Sequence, residues 1–257
     1  MEIQINEALA IKRRRMARRL VLFGFIVLVG SLFIGARDAR TVTLSYAALI
    51  VGTLASWGGV MMMHRWTLPP KPEVALGEAM AGSNAGWKLY HWLLPADHVV
   101  QAPWGLAVLD PFNFDGRLRV DGARWRDGRS ALRRIFAIGQ RPVRNPERVL
   151  DQQVEALRAA LVERDARWAE VPIERALVLT HPRAALEAET PNVPVHLAAD
   201  LKRALAKGQP HRALKPVDQR ALRDELDALA EQRLAQAGDG KDADAESDAE
   251  SDEQTEA

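Results

Sequence analysis

The sequence predicts an α+β body that follows a transmembrane helical hairpin. Two long uncharged apolar runs occupy the first quarter of the chain, short extended runs bounded by turn residues follow, and leucines then recur at helical spacing. The 257 residues carry a formal charge of +1, but residues 239–257 hold nine acids and one lysine. Residues 1–238 therefore carry a net charge of +9. The absence of cysteine excludes disulfide scaffolds and thiolate chemistry.

The two apolar runs are residues 20–36 and 41–63, 17 and 23 residues long. A helix needs roughly 17–25 apolar residues to cross a bilayer. A signal peptide has a shorter apolar segment, and a soluble helical hairpin would show a polar face. We therefore predict two transmembrane helices in residues 20–63, joined tightly at residues 37–40. The small residues Gly52, Ala55, Gly58 and Gly59 would let these helices approach closely.

Charge predicts the orientation of the hairpin. Six basic residues precede the first run, whereas the loop offers two arginines and one aspartate, and basic residues follow the second run. The positive-inside rule then places the basic N-terminus, residues 1–19, and everything after residue 63 in the cytoplasm. The lipid bilayer of the cell (inner) membrane is the first predicted partner.

The body begins after a proline-rich linker at residues 64–73. Residues 73–94 predict a helix interrupted at Gly82, and residues 97–101, 106–109 and 117–120 predict an antiparallel three-stranded meander. Asn145-Pro146 predicts a helix start, residues 176–179 and 193–196 predict strands, and residues 197–208 predict a further helix. A C-terminal helix is expected within residues 207–237. Residues 238–257 contain no large apolar side chain and predict a disordered acidic tail.

Asp97 and Asp110 are the first candidate functional residues. They stand at the start of one predicted strand and near the end of its neighbour. Two carboxylates that converge beside a sheet can hold a hard cation such as Mg²⁺. The alternative is that both acids simply end strands or cap turns.

The stretch around these acids resembles the motif of the NERD (nuclease-related) domain. The matching residues are Asp97, Pro103, Gly105, Asp110 and Gly116, with the apolar runs between them. The similarity continues outward to residues 77–78, 125 and 145–146, and it covers residues 74–206.

The resemblance implies a restriction-endonuclease-like core, a mixed sheet flanked by helices. It also implies a nuclease site in which Glu78, Asp97 and Asp110 hold Mg²⁺ or Mn²⁺, with Asp97 and Asp110 the principal ligands. Phe112 stands where the family has its lysine, so the resemblance implies a weakened or inactive site. Lys88 or Arg117 could take over the role of that lysine.

An arginine-rich stretch follows the motif, with ten arginines against four acids in residues 115–148. Guanidinium groups suit phosphates, and a tryptophan can stack on a base. The candidate nucleic-acid contacts are Arg117, Arg119, Arg124, Trp125 and Arg126. Three interpretations stay open: the patch binds nucleic acid, faces anionic lipid, or is a plain solvated surface.

Together these features predict a membrane-anchored, cytoplasm-facing NERD-like protein that binds nucleic acid or another phosphate ligand with weak or no cleavage. The alternatives are an active divalent-metal-dependent nuclease and a non-catalytic membrane scaffold that uses the last helix. Zinc ligand spacing and a glycine-rich phosphate loop are both missing from the sequence.

Overall fold

The chain forms two long apolar helices and an α+β body. The computed structural model describes residues 1–37, 42–67, 69–84, 86–130, 141–207 and 214–253, with side chains described up to residue 35 of the first helix and residue 236 of the last. The predicted helix–helix turn at residues 37–40 and the predicted helix end at Gly208 fall at or beyond the edges of these ranges.

In chain order the strands are β1 (Glu2–Ile5), β2 (Lys88–His91), β3 (His98–Ala102), β4 (Gly105–Phe112), β5 (Arg117–Asp121), β6 (Arg124–Asp127), β7 (Ile173–Leu179), β8 (Ala185–Glu189) and β9 (Val195–Leu197). The helices are α1 (Glu7–Arg37), α2 (Val42–Trp66), α3 (Pro72–Ala79), α4 (Glu147–Arg164), α5 (Ala198–Lys207) and α6 (Pro216–Glu253), with a 3₁₀ turn at Ala166–Glu170.

The hairpin of α1 and α2 has the character of a membrane anchor. Both helices are long and apolar enough to cross a bilayer, judged by length and composition. Their large apolar side chains point outward, as Leu32 and Phe33 show with exposures of 65% and 70%. A water-soluble hairpin would bury such side chains. The predicted pair of apolar helices is therefore confirmed.

Small residues bring the two helices together. A Cβ atom added to Gly24 would lie 2.5 Å from the backbone nitrogen of Ser56, and one added to Gly59 would lie 2.7 Å from that of Val21. A Cβ at Gly52 would meet a side chain at 2.9 Å. The close approach predicted for this pair is confirmed at Gly52 and Gly59.

The body is built on a mixed six-stranded sheet with the order β1-β2-β3-β4-β7-β9. The β2–β3 and β3–β4 pairs are antiparallel, whereas β1–β2, β4–β7 and β7–β9 are parallel. Alternation along the strands sends Val99 towards Leu157 and Leu226 of α4 and α6, and Val100 towards Leu76 of α3 and the helix α5. Helices thus cover both faces, and the predicted α+β class with a mixed sheet is confirmed.

The basic N-terminal segment contains a strand that the sequence did not predict. Residues 2–5 form β1, which pairs in parallel with β2 from Glu2 opposite Lys88 to Ile5 opposite His91. Asn6 then caps α1, because its side-chain oxygen accepts a hydrogen bond from the Leu9 backbone N–H at 2.9 Å. In chain order the α1–α2 hairpin therefore lies between two strands that pair with each other. Because one sheet holds both ends of the hairpin, the whole sheet lies on one side of any bilayer that the hairpin crosses.

The predicted helix at residues 73–94 is wrong after its first part. Helix α3 ends at Ala79, and Lys88–His91 forms β2, with all four residues buried. Short apolar runs fit a buried strand and a buried helix equally well by periodicity. The sheet decides here, because β2 lies between β1 and β3 and is covered on both faces.

The predicted meander is confirmed for its first two strands and wrong for the third. Strand β4 has β3 on one edge and β7 on the other, so it offers no edge to β5. Strand β5 instead forms a second sheet with the order β6-β5-β8. Strands β6 and β8 were not predicted.

The later elements follow the sequence prediction closely. Helix α4 begins beside Asn145, whose side-chain oxygen accepts the Glu147 N–H at 3.0 Å. Strands β7 and β9 and helix α5 lie where the sequence predicts them. The backbone of α6 runs through Glu253, but its side chains are described only to residue 236. The disordered acidic tail at residues 238–257 stays a prediction.

Candidate functional site

Asp97 and Asp110 lie on adjacent strands. The register pairs Val99 with Val108, so continuing it by two residues sets Asp97, just before β3, opposite Asp110 in β4. Directly opposed residues of an antiparallel pair share one face of a sheet. Both aspartates line one cavity at the base of the hairpin. The sequence left open whether these two carboxylates converge or only end their strands, and the structure places both at one cavity.

Each aspartate is paired with an arginine. Arg65, at the end of α2, donates to Asp97 Oδ2 at 2.6 Å. Arg141 makes two hydrogen bonds to Asp110, Nη1 to Oδ1 at 2.7 Å and Nη2 to Oδ2 at 2.6 Å. The Asp110 carboxylate is 13% exposed, so its charge is balanced in a largely desolvated position. Both carboxylates are therefore paired with guanidinium groups.

Arg141 also occupies the space beside Phe112. Its guanidinium carbon lies 5.4 Å from the centre of the Phe112 ring. Burial opposes the charge of Arg141, but the hydrogen bonds to Asp110 and the negative charges of Asp110 and Asp97 outweigh burial and raise its pKa. Arg141, 31 residues after Asp110 in the sequence, therefore lies both on Asp110 and next to the aromatic ring. It supplies a fixed positive charge and cannot accept a proton.

The two residues considered as substitutes for the missing lysine have other partners. Lys88 is buried in β2 and pairs with Glu2 and Asp227 at 2.7 and 2.8 Å. Arg117 lies in the second sheet and pairs with Glu187 at 2.9 Å. Arg141 is the cation that contacts Asp110 among the residues described.

The third predicted acid, Glu78, lies apart from the other two. Its side chain is exposed on α3, and it does not line the cavity that contains Asp97 and Asp110. Over the described residues there is no group of three His, Cys, Asp or Glu side chains that could hold a metal ion. Two carboxylates that are each bound to an arginine do not fit a Mg²⁺ or Mn²⁺ site, which needs several free oxygen ligands.

Four predicted nucleic-acid contacts share the exposed face of the second sheet. Arg117 and Arg119 point outward from β5, and Arg126 lies directly opposite Arg119 with Arg124 further along β6. Glu187 of β8 accepts from Arg117 and Arg119, at 2.9 and 2.7 Å. The positive charge of this face is therefore partly balanced within the sheet.

Trp125 lies on the other face of the same sheet. It is opposite Val120, and it packs against the buried clusters that include Leu118 and Leu150. Stacking on a base requires an exposed ring. The structure therefore separates Trp125 from the four arginines with which the sequence grouped it, because successive strand residues alternate between faces.

Other arginines of the basic stretch are scattered. Arg129 is 8% exposed and pairs with Asp127 at 2.6 Å, and Arg141 belongs to the cavity. Arg133 and Arg134 lie outside the described residues. The stretch is basic in sequence, but its described arginines do not form one surface.

The cavity itself has a volume of about 720 Å³ and lies between the hairpin base, the β3–β4 strand ends and α4. Four arginines and two aspartates contribute its charges. The charged lining residues are Arg13, Arg65, Asp97, Asp110, Arg141 and Arg233. The sequence pointed only to the two acids. Nothing local in the sequence indicates that arginines from α1, α2 and α6 would meet them.

A buried histidine pair adjoins this cavity. His91 of β2 and His98 of β3 are cross-strand partners, and their Nδ1 atoms lie 2.7 Å apart. Burial lowers the pKa of His91 to about 4, and burial together with the charges of His91 and Arg65 lowers the pKa of His98 well below its usual value. The burial of His98 and its contact with His91 indicate a structural role for both rings.

No family model, curated protein or solved structure matches this chain. The NERD resemblance therefore rests on the residues quoted for it.

Proposed function

We propose that this chain is a membrane-anchored NERD-like protein that binds a phosphate-bearing ligand without cleaving it. In this proposal its core is restriction-endonuclease-like, the body and both termini face the cytoplasm, and the ligand occupies the cavity at the hairpin base. The confirmed mixed sheet flanked by helices and the basic residues around the hairpin support it.

The pairing of Arg141 with Asp110 carries the proposal. Phosphodiester hydrolysis at paired carboxylates needs a bound metal or a base that activates water. Asp110 is neutralised by two hydrogen bonds, Asp97 is bound to Arg65, and an arginine cannot act as the base. Over the described residues, the aspartate pair therefore offers arginine donors for an anion and no free carboxylate for a metal.

Nucleic acid is the second candidate ligand. It is favoured by the four exposed arginines of the β5–β6 face and weakened by the inward position of Trp125 and by the pairing with Glu187. Binding to a phosphate backbone would fall steeply with salt concentration.

The scaffold alternative loses its main support. That alternative uses the last helix, and Leu222, Leu226 and Ala230 of α6 are buried in the core against Leu157 of α4. The active nuclease alternative predicts metal-dependent cleavage of DNA.

The experiment uses the full chain in detergent micelles. Cleavage of plasmid and single-stranded DNA is measured with Mg²⁺ and with Mn²⁺, and binding of inorganic phosphate and of a labelled oligonucleotide is measured by equilibrium methods. We expect no metal-dependent turnover, and phosphate binding that weakens about tenfold in Arg65→Gln. Arg124→Gln is the matched control, because it removes the same charge from the second sheet.

Two results would contradict the proposal. Turnover that disappears in Asp97→Ala would establish an active nuclease. The absence of binding to inorganic phosphate, to oligonucleotides and to phospholipid would remove the proposed ligand class.

A further inference from the structure

We propose that the cavity at the hairpin base binds the head group of an anionic membrane phospholipid, with Arg13 and Arg65 on its phosphate. The inference rests on the proposed function, because it names the source of the phosphate.

The position of the cavity is the first argument. The second uncharged run ends at Met63, and the cavity is lined by Met61 and Met62 before this point and by Arg65 and Trp66 after it. At 1.5 Å per residue, the step from residue 61 to residue 66 covers roughly 8 Å along the helix. The cavity therefore spans the level at which hydrocarbon gives way to head groups.

The charge of the lining is the second argument. Four arginines against two aspartates give the lining a net charge of +2. Arg65 contacts Asp97 through Nη2, and its side chain remains 61% exposed, so the guanidinium keeps donors for a second acceptor. Arg13 is also exposed and lies on the adjoining helix. Two guanidinium groups beside one opening suit a phosphodiester anion.

The apolar lining distinguishes a lipid from a free phosphate. Met61 and Met62 contribute apolar surface on the membrane side, and Leu9 contributes apolar surface nearer the body. Trp66 and Trp92 also line the cavity, with ring centres 4.7 Å apart. Tryptophan is enriched at membrane–water interfaces. A free phosphate would leave the half-buried side chains of Met61 and Met62 uncovered, whereas glycerol and the first acyl carbons of a lipid would cover them.

The test presents phospholipids to the full chain in nanodiscs. A photoactivatable phosphatidylglycerol with its diazirine near the glycerol is cross-linked, and the labelled peptides are identified by mass spectrometry. An equally labelled phosphatidylcholine is the uncharged comparison. We expect labelling at residues 61–66, with phosphatidylglycerol favoured over phosphatidylcholine.

Variants assign the site. Arg13→Gln combined with Arg65→Gln is expected to reduce this labelling about tenfold. Arg124→Gln with Arg126→Gln removes the same charge from the second sheet and should leave it unchanged. Met62→Trp fills the apolar end without altering charge and should also reduce labelling. Thermal unfolding of each variant shows that it is folded.

Each outcome decides a different point. Equal labelling by the two lipids, or labelling that only the second-sheet variant reduces, overturns the lipid proposal. If inorganic phosphate or an oligonucleotide binds in an Arg65-dependent manner while the lipid is not labelled there, the lipid proposal fails and the proposed function stands. If none of these ligands binds, both fail.

Discussion

Acid is expected to destabilise the body through the His91–His98 pair. Both rings are neutral when folded, because burial lowers their pKa values, that of His91 to about 4. In the unfolded chain a histidine has a pKa near 6.5. Between these values the unfolded chain binds a proton that the folded chain does not. The free energy of unfolding is therefore at its full value above about pH 7, and it decreases as the pH falls from the unfolded pKa towards the folded pKa.

The expected size follows from the pKa of His91. With values of 6.5 unfolded and about 4 folded, lowering the pH from 7 to 5 costs about 2 kcal/mol. In a domain of this size that corresponds to about 6 °C in Tm. The pKa of His98 is lowered in the same direction, so its contribution adds to this loss.

Thermal unfolding of the full chain in micelles measures the effect, with tryptophan fluorescence as the readout. The comparison is the double variant His91→Leu with His98→Leu, in which the loss between pH 7 and 5 should largely disappear. His181→Gln serves as the control, because His181 lies beside Asp115 in a different part of the body. If the double variant loses as much stability as the wild type over this pH range, the histidine pair is not the group that takes up the protons.

Two further predictions concern packing and a buried ion pair. Gly24→Ala should lower the stability of the hairpin by about 2 kcal/mol, because its Cβ would press on the neighbouring helix backbone. A Cβ atom at Gly30 would have no neighbour within 4 Å, so Gly30→Ala should have almost no effect. Thermal unfolding of the two variants in micelles compares them. Asp227→Asn should cost about 2 kcal/mol in urea unfolding, because Lys88 is 3% exposed and loses a charged partner. Asp224→Asn, one turn earlier on an exposed position of α6, should be nearly neutral.

Local sequence signals predicted the parts of the fold that depend on local physics. Uncharged length predicted α1 and α2, and helical spacing with Asn145 before the first turn predicted α4. The β3–β4 pair was predicted because residues 103–105 provide turn chemistry between two apolar runs. Asp97 and Asp110 lie opposite each other because the same β3–β4 pair carries them.

The remaining features depend on contacts between distant residues. Strand β1 has four residues and gains its partner 86 positions later, which no local pattern shows. The pairing of Arg141 with Asp110 joins residues 31 positions apart, and that of Arg65 with Asp97 depends on the docking of the hairpin. In the NERD resemblance Phe112 indicated only a missing lysine. It gave no sign that Arg141 would lie beside it.

The parallel pairing of β1 with β2 constrains how the body can be separated from its anchor. Deleting residues 1–67 would remove an outer strand and leave the backbone edge of β2 unpaired, and such an edge invites association between molecules. A water-soluble version should instead retain residues 1–6 and replace the two apolar helices with a flexible bridge to residue 69. The same connectivity means that both apolar helices must be synthesised before β1 can pair with β2.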